Sequence, residues 1–337
     1  MRASDRRPLP RRDLSLTALG LGTAPMGGLY SHTRFAEAQA ATEAAWACGI
    51  RYFDTAPYYG YTRAERRLGA LLSDHERDGY VVSTKGGRLM VPDNSVSKEE
   101  NGWVRPLPFR PTYDYTYDGI LKSFEHSQQR LGVVGIDILY IHDIGPYTHG
   151  ERHEHYWRQL TAGGGFRALQ ELRRDGAVTA IGLGVNEAEV VQDAMQEADL
   201  DVVMLAGRYT LLEQMSLPLM EACAHAGTAI VIAGPFNSGI LVGNNKFDYQ
   251  DAPPEVVERV QALKAVCDEF DVPLPAAALH FPMAHPAVVS CVTGARDAGQ
   301  LQTNVAWFEA TIPDELWTAL RRRGLIDEAA PLPGEGG

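Results

Sequence analysis

Asp54, Tyr59, Lys85 and His142 are the residues of this chain best placed by type and surroundings to move a proton. In Phe53-Asp54-Thr55-Ala56-Pro57-Tyr58-Tyr59-Gly60 an acid ends an apolar, strand-like run and an aromatic pair follows it. Lys85 ends Val81-Val82-Ser83-Thr84-Lys85-Gly86 in the same way, and His142 ends Leu139-Tyr140-Ile141-His142-Asp143. Each alone has an ordinary reading: the acid caps a helix or shapes a turn, the imidazole finds a hydrogen bond, and a tyrosine after proline packs. Together they define a chemistry. An Asp54–Lys85 ion pair would set an ammonium beside the Tyr59 hydroxyl and favour its phenolate. Bringing a phenol from a pKa of about 10 to near 7 corresponds to roughly 4 kcal/mol of proton-transfer free energy, enough to make Tyr59 a usable acid or base. His142 would donate a hydrogen bond to the oxygen that gains or loses charge as hydride moves.

These residues meet only if the elements bearing them share one rim. Short β-branched runs alternate with segments of helical period along the chain. The strand candidates are Leu19 to Thr23, Tyr52 to Thr55, Tyr80 to Thr84, Ile136 to His142, Ala180 to Val185, Val202 to Ala206, Ala229 to Ala233 and Val288 to Thr293. Between them, Pro254 to Phe270 repeats Val256, Val260, Leu263, Cys267 and Phe270 at helical steps. The alanine-rich Glu37 to Cys48 stops at Gly49, and Arg63 to Leu72 sets Leu68, Leu71 and Leu72 on one side.

Alternation without a linker favours a closed (β/α)8 TIM barrel over a doubly wound sheet, with residues 1–330 as a single domain and 331–337 as a frayed tail. The connections after the third strand (Gly86 to about Gly119) and the fourth (Asp143 to about Gly165) are long. Trp103, Phe109, Tyr113, Tyr115, Tyr117, Tyr147 and Trp157 lie in them, as a cover for a substrate pocket or as a satellite core.

Composition excludes several classes. With 45% hydrophobic and 22% charged residues in 337, the chain is globular, and its net charge of -12 offers no footprint for nucleic acid. Cys48, Cys223, Cys267 and Cys291 form no CxxC pair and read as reduced thiols. The N-terminal arginines precede no apolar signal region, and no run reaches the length of a membrane span, so the cytoplasm is the expected compartment and no membrane partner is expected.

At the residues that open this section the chain resembles the aldo-keto reductase family. Gly49-Ile50-Arg51-Tyr52-Phe53-Asp54-Thr55-Ala56-Pro57-Tyr58-Tyr59-Gly60 carries the family's Asp-Thr-Ala and Tyr-Gly motif, and Asp54, Tyr59, Lys85 and His142 follow the chain order of its catalytic tetrad. The likeness runs from Leu19-Gly20-Leu21-Gly22-Thr23 to Asn304. It implies an NAD or NADP cofactor bound by Gly22, Thr23, Asp54, Asn186, Ala233, Pro235, Phe236, Asn237, Gly239, Leu241, Gly294, Ala295, Arg296, Gln300 and Asn304, with no metal.

Two places depart from the family pattern. Val185 precedes Asn186 where a serine is usual, with an apparent extra residue, and Ala233 stands where a tyrosine often stacks on the nicotinamide. Of the residues at the adenosine end only Arg296 is basic, whereas a 2′-phosphate calls for basic forks, so NAD is the expected cofactor.

Within the family, Gly27-Gly28-Leu29-Tyr30 and Phe236-Asn237-Ser238-Gly239-Ile240-Leu241 look most like dehydrogenases of L-fucose, L-galactose or D-threo-aldoses, with pyridoxal 4-dehydrogenase in the same neighbourhood. That likeness implies a sugar or aldehyde substrate oxidised at a hemiacetal carbon to a lactone. A general aldehyde reductase is the alternative on the same fold. A metal-dependent barrel hydrolase using His149, His153 and His155 is an alternative of another class, and a non-enzymatic, cofactor-sensing channel subunit is a third. Assembly into a homo-oligomer is compatible with the sequence.

Overall fold

The computed structural model describes residues 1–335. Eight parallel strands close into a barrel: β1 (Leu19–Gly22), β2 (Tyr52–Asp54), β3 (Val81–Gly86), β4 (Ile136–His142), β5 (Val178–Val185), β6 (Val202–Ala206), β7 (Ala229–Ala233) and β8 (Val288–Gly294). Each expected strand is present, with ends shifted by a residue or two. The runs are largely apolar because both faces are covered, one by the barrel interior and the other by helices. Tyr52, Val81, Ile138, Tyr140, Ala180, Val202, Met204, Val231 and Val292 fill the interior. Phe53, Leu139, Ile141, Ile181, Leu183, Val203 and Leu205 face the helices. Alternation along a strand therefore separates two apolar environments rather than water from core.

The helices follow the sequence pattern. Phe35–Ala47 and Arg63–Leu72 run close to their expected bounds, and Pro254–Glu269 buries Leu263, Val266 and Cys267 while Val256, Val260 and Phe270 pack at its edge. All four cysteines are free thiols, with Cys48 half-buried and the rest buried. Among the described residues no helix is long and apolar enough to cross a membrane.

Both ends of the chain pack onto the barrel. The arginine-rich start is a hairpin, Arg6–Pro8 paired with Ser15–Thr17, that sets Leu9 and Leu16 into the N-terminal mouth of the barrel. Arg12 reaches Asp201 at 2.7 Å and Arg7 donates to the carbonyls of Met283 and Val288. Its charge is thus spent on closing the barrel floor. The expected frayed tail is a correction: Leu332 is buried and Arg321 pairs with Glu335 at 2.8 Å, so 331–335 pack against the barrel. Gly336 and Gly337 lie outside the described residues.

Both long connections leave strand C-termini. The one after β3 folds into a hairpin, Arg88–Pro92 with Phe109–Tyr113, and a short ribbon that buries Trp103. The one after β4 holds the helices Pro146–His149 and His153–Leu160.

Candidate active site

The barrel register brings the chemistry to one rim. Gly22 pairs with Asp54, Asp54 with Ser83, Tyr140 with Lys85, and His142 with Gly184, so the ends of β1 to β5 stand side by side. Side chains two apart point the same way along a strand, which turns Ser83 and Lys85 inward together, and likewise Tyr140 and His142. Lys85 Nζ lies 2.9 and 2.8 Å from the two carboxylate oxygens of Asp54 and donates to the Thr55 carbonyl at 2.9 Å. Ser83 Oγ donates to Asp54 Oδ1 at 2.7 Å. The pair is dry, with side chains 2% and 3% exposed.

Tyr59 hangs above this pair. Lys85 Nζ stands 4.9 Å from its ring centroid, and the His142 ring lies edge-on at 5.9 Å. Its turn is fixed by backbone contact: a side-chain carbon on Gly60, whose φ is +62°, would fall 2.2 Å from the Gly27 carbonyl oxygen, and one on Gly27 would meet the Tyr59 carbonyl. Only glycines let the loop after β1 and the Tyr59 turn approach this closely. Trp103 closes the side, its ring 5.8 Å from Tyr59 and 5.6 Å from Tyr58.

The electrostatics correct one expectation. Burial, reinforced by the carboxylates of Asp54 and Asp143, holds the Tyr59 phenol well above its ordinary value, against the downward pull of Arg88. A depressed phenol was expected from Lys85. Asp54 already engages that ammonium with both oxygens, leaving little net charge to favour a phenolate. His142 is held well below the usual imidazole range by burial and by Arg88 and Lys85, so it is neutral at pH 7.

The cofactor candidates divide by what their side chains already do. β5 and β6 pair without a shift from Gly182 to Val185, so Asn186 follows the strand directly and the apparent extra residue leaves no bulge. Its amide donates to Asp143 at 3.2 Å and its oxygen accepts from Tyr249 at 3.4 Å. Asn237 is committed elsewhere, accepting from Thr210 and donating to Gly207, and Leu241, Pro235 and Ala295 are buried. Phe236 turns its ring onto Trp307, so it does not replace the tyrosine missing at Ala233. Gly239, at φ +99°, belongs to a tight turn. Asn304 pins the Gly294 carbonyl at 3.2 Å.

Thr23 Oγ1, Thr55 Oγ1, His142 Nδ1 and Arg296 Nε are buried polar atoms without a partner. Such orphans are uncommon in a native interior. Their place along the rim, from β8 across β1 and β2 to β4, fits an extended polar ligand such as a dinucleotide.

The aromatic residues of the long loops split between their two readings. Trp103 and Phe109 belong to the cluster beside Tyr58 and Tyr59, whereas Tyr113, Tyr115 and Trp157 pack on the main core. The hydrolase alternative finds no support. His149 bonds Tyr115, His153 the Ile144 carbonyl and His155 Gln159, and among the described residues no group of three potential ligands gathers. Two residues at the rim went unread in the sequence, Arg88 and Arg208. The signal for Arg88 was its position three residues beyond Lys85, on the same rim.

Residues 18–323 match the sequence profile of the Aldo/keto reductase family. The chain belongs to that family. It is therefore an NAD(P)-dependent oxidoreductase acting on CH–OH groups. It is 52% identical to the pyridoxal 4-dehydrogenase of Microbacterium luteolum, over 97% of this chain and 99% of that one. It is 42% identical to a D-threo-aldose 1-dehydrogenase of a Pseudomonas species, over 93% and 95% of the two chains. The holo form of an aldo-keto reductase from Bacillus halodurans shares the fold, with a TM-score of 0.73 at 21% identity over 98% of each chain.

Proposed function

We propose that this aldo-keto reductase is an NAD-linked dehydrogenase that oxidises the hemiacetal carbon of a small hydroxylated ring to a lactone, with Asp54, Tyr59, Lys85 and His142 as its catalytic set. The observation that carries this reading is the dry Lys85–Asp54 pair beneath Tyr59, with neutral His142 across the same opening. The nicotinamide, when bound, accepts or gives the hydride. Tyr59 exchanges a proton with the reacting oxygen at its hydroxyl, and Lys85, fixed by Asp54, orients that hydroxyl. His142 donates a hydrogen bond to the same oxygen and steers its carbon.

Two substrates lead. Pyridoxal is favoured by the greater identity to its dehydrogenase and by the Tyr58, Tyr59 and Trp103 rings, which suit a flat substrate. An aldose is the second reading, on the 42% relative. The choice of NAD is supported at the adenosine end. Asp297 caps the helix Ala298–Phe308 by accepting from Gln300 N at 2.9 Å, and Gln300 turns back to Arg296 N at 3.0 Å. A carboxylate occupies the helix N-terminus that a 2′-phosphate would need. Gly294 admits no lysine without moving Pro25, whose ring carbon lies 2.7 Å from where a Cβ would stand.

Screening pyridoxal, aldoses and simple aldehydes by NADH absorbance tests the substrate. Tyr59→Phe is expected to lower turnover by about 100-fold or more with NAD affinity retained. Unchanged turnover on the best substrate would remove Tyr59 from its role.

A further inference from the structure

A second cation reaches the same rim, and the chemistry above makes no use of it. Arg88 is 4% exposed, with its guanidinium 4.4 Å over the Tyr58 ring and Nη2 2.5 Å from Asp143 Oδ2. His142 Nε2 lies 3.4 Å from that same oxygen. Among the described residues Arg88 makes one ion pair, and its Nε is buried without a partner. A guanidinium carries five N–H donors, and the buried Nε–H is one that no protein group takes up.

Asp143 is fixed through both its backbone and its side chain. Its φ of +43° is left-handed, a conformation that side chains rarely adopt, and its N–H is fixed to the Gly184 carbonyl at 3.0 Å. Asn186 donates to the other carboxylate oxygen at 3.2 Å. A buried ion pair returns about what its desolvation costs, so a clamp between hairpin and barrel would be served as well by apolar side chains. A carboxylate fixed by its backbone and by Asn186, and a guanidinium with an idle Nε–H, thus stand together beside the reacting residues.

We propose that Arg88 and Asp143 together read a hydroxyl group on the substrate close to its reacting carbon, Arg88 donating a hydrogen bond to the hydroxyl oxygen and Asp143 accepting one from its O–H. A hydroxyl both donates and accepts, which matches this pair better than a carbonyl or a hydrogen does. Arg88 Nη2 and His142 Nε2 flank a single oxygen, so the two donors are neighbours, and the hydroxyl read by one lies near the oxygen held by the other. The ring hydroxyl of pyridoxal and the 2-hydroxyl of an aldose both stand within two carbons of the reacting one. The inference rests on the dehydrogenase reading of the site.

The test compares kcat/KM for pyridoxal against its 3-deoxy analogue, and for an aldose against its 2-deoxy counterpart. A charged donor selecting one hydroxyl gives the native enzyme a preference of about 10- to 100-fold for the hydroxylated member of the pair. Arg88→Met is expected to bring that ratio close to one, and Arg88→Lys to an intermediate value. A purely structural Arg88 would lower both members alike and keep the ratio, which would overturn the proposal. So would a native ratio near one for both pairs. Should Arg88→Met fail to fold, Arg88→Met/Asp143→Asn, which leaves no buried charge uncompensated, reads the same ratio, and retained preference there is equally fatal. A native enzyme idle on every compound overturns the dehydrogenase reading and this inference with it. Normal native turnover with an unmoved ratio in the variants overturns the Arg88 assignment alone.

Discussion

Tyr59 shows how a residue can have the right neighbours and an unexpected protonation state. Its Lys85 neighbour is present, yet the ammonium is spent on Asp54, and burial leaves the phenol protonated well above neutrality. A base must first lose its proton, so oxidation is expected to gain rate as pH rises above 7, and reduction to lose it. Lowered His142 stays neutral throughout that range and adds no limb near pH 6.5. A pH profile of kcat/KM in both directions checks this, and oxidation that peaks at or below neutrality would remove Tyr59 as the base.

At the scale of elements, the strand ends and one helix start carry the residues of the site. β2, β3 and β4 deliver Asp54, Lys85 and His142 because a parallel barrel puts every strand C-terminus on one face, while the glycine contact at Gly27 and Gly60 brings in Tyr59. The N-terminus of the helix Ala298–Phe308 is closed by its own Asp297 and Gln300. Replacing Asp297 with alanine and Gln300 with arginine frees backbone donors and adds a guanidinium. We expect the NADP-to-NAD ratio of kcat/KM to rise by roughly tenfold or more. A native enzyme already preferring NADP tenfold would reverse the cofactor assignment.

For the whole molecule, buried histidines link stability to acid. Burial, with Arg88 and Arg152 nearby, lowers His149 to about 4, and burial also lowers His142, His280 and His285. In the unfolded chain an imidazole titrates near 6.5, so below that pH the unfolded state binds protons that the folded state refuses. Stability is therefore complete above about pH 6.5 and lost as pH falls towards 4, with His149 contributing roughly 3 kcal/mol across that window. Urea unfolding of native and His149→Gln protein at pH 7 and 5 measures it. The variant should lose less between the two, and equal losses would show that His149 is not the group responsible.

Strand positions and their order were legible from sequence, as was the convergence of Asp54, Tyr59, Lys85 and His142 on one rim, because a parallel barrel writes its strands as largely apolar runs and gathers their C-terminal ends on one face. The family motif around Asp54 and Tyr59 added the cofactor and the reaction class. Only the tertiary structure decided what depends on distance between segments remote in the chain. It showed that Asp54 neutralises Lys85, that Asn237 is tied to Thr210, and that the N-terminal arginines seal the barrel floor. It also showed that Arg88 meets Asp143 beside His142. Periodicity records which face a residue takes, whereas charge and hydrogen-bond partners are set by contacts that no local pattern encodes.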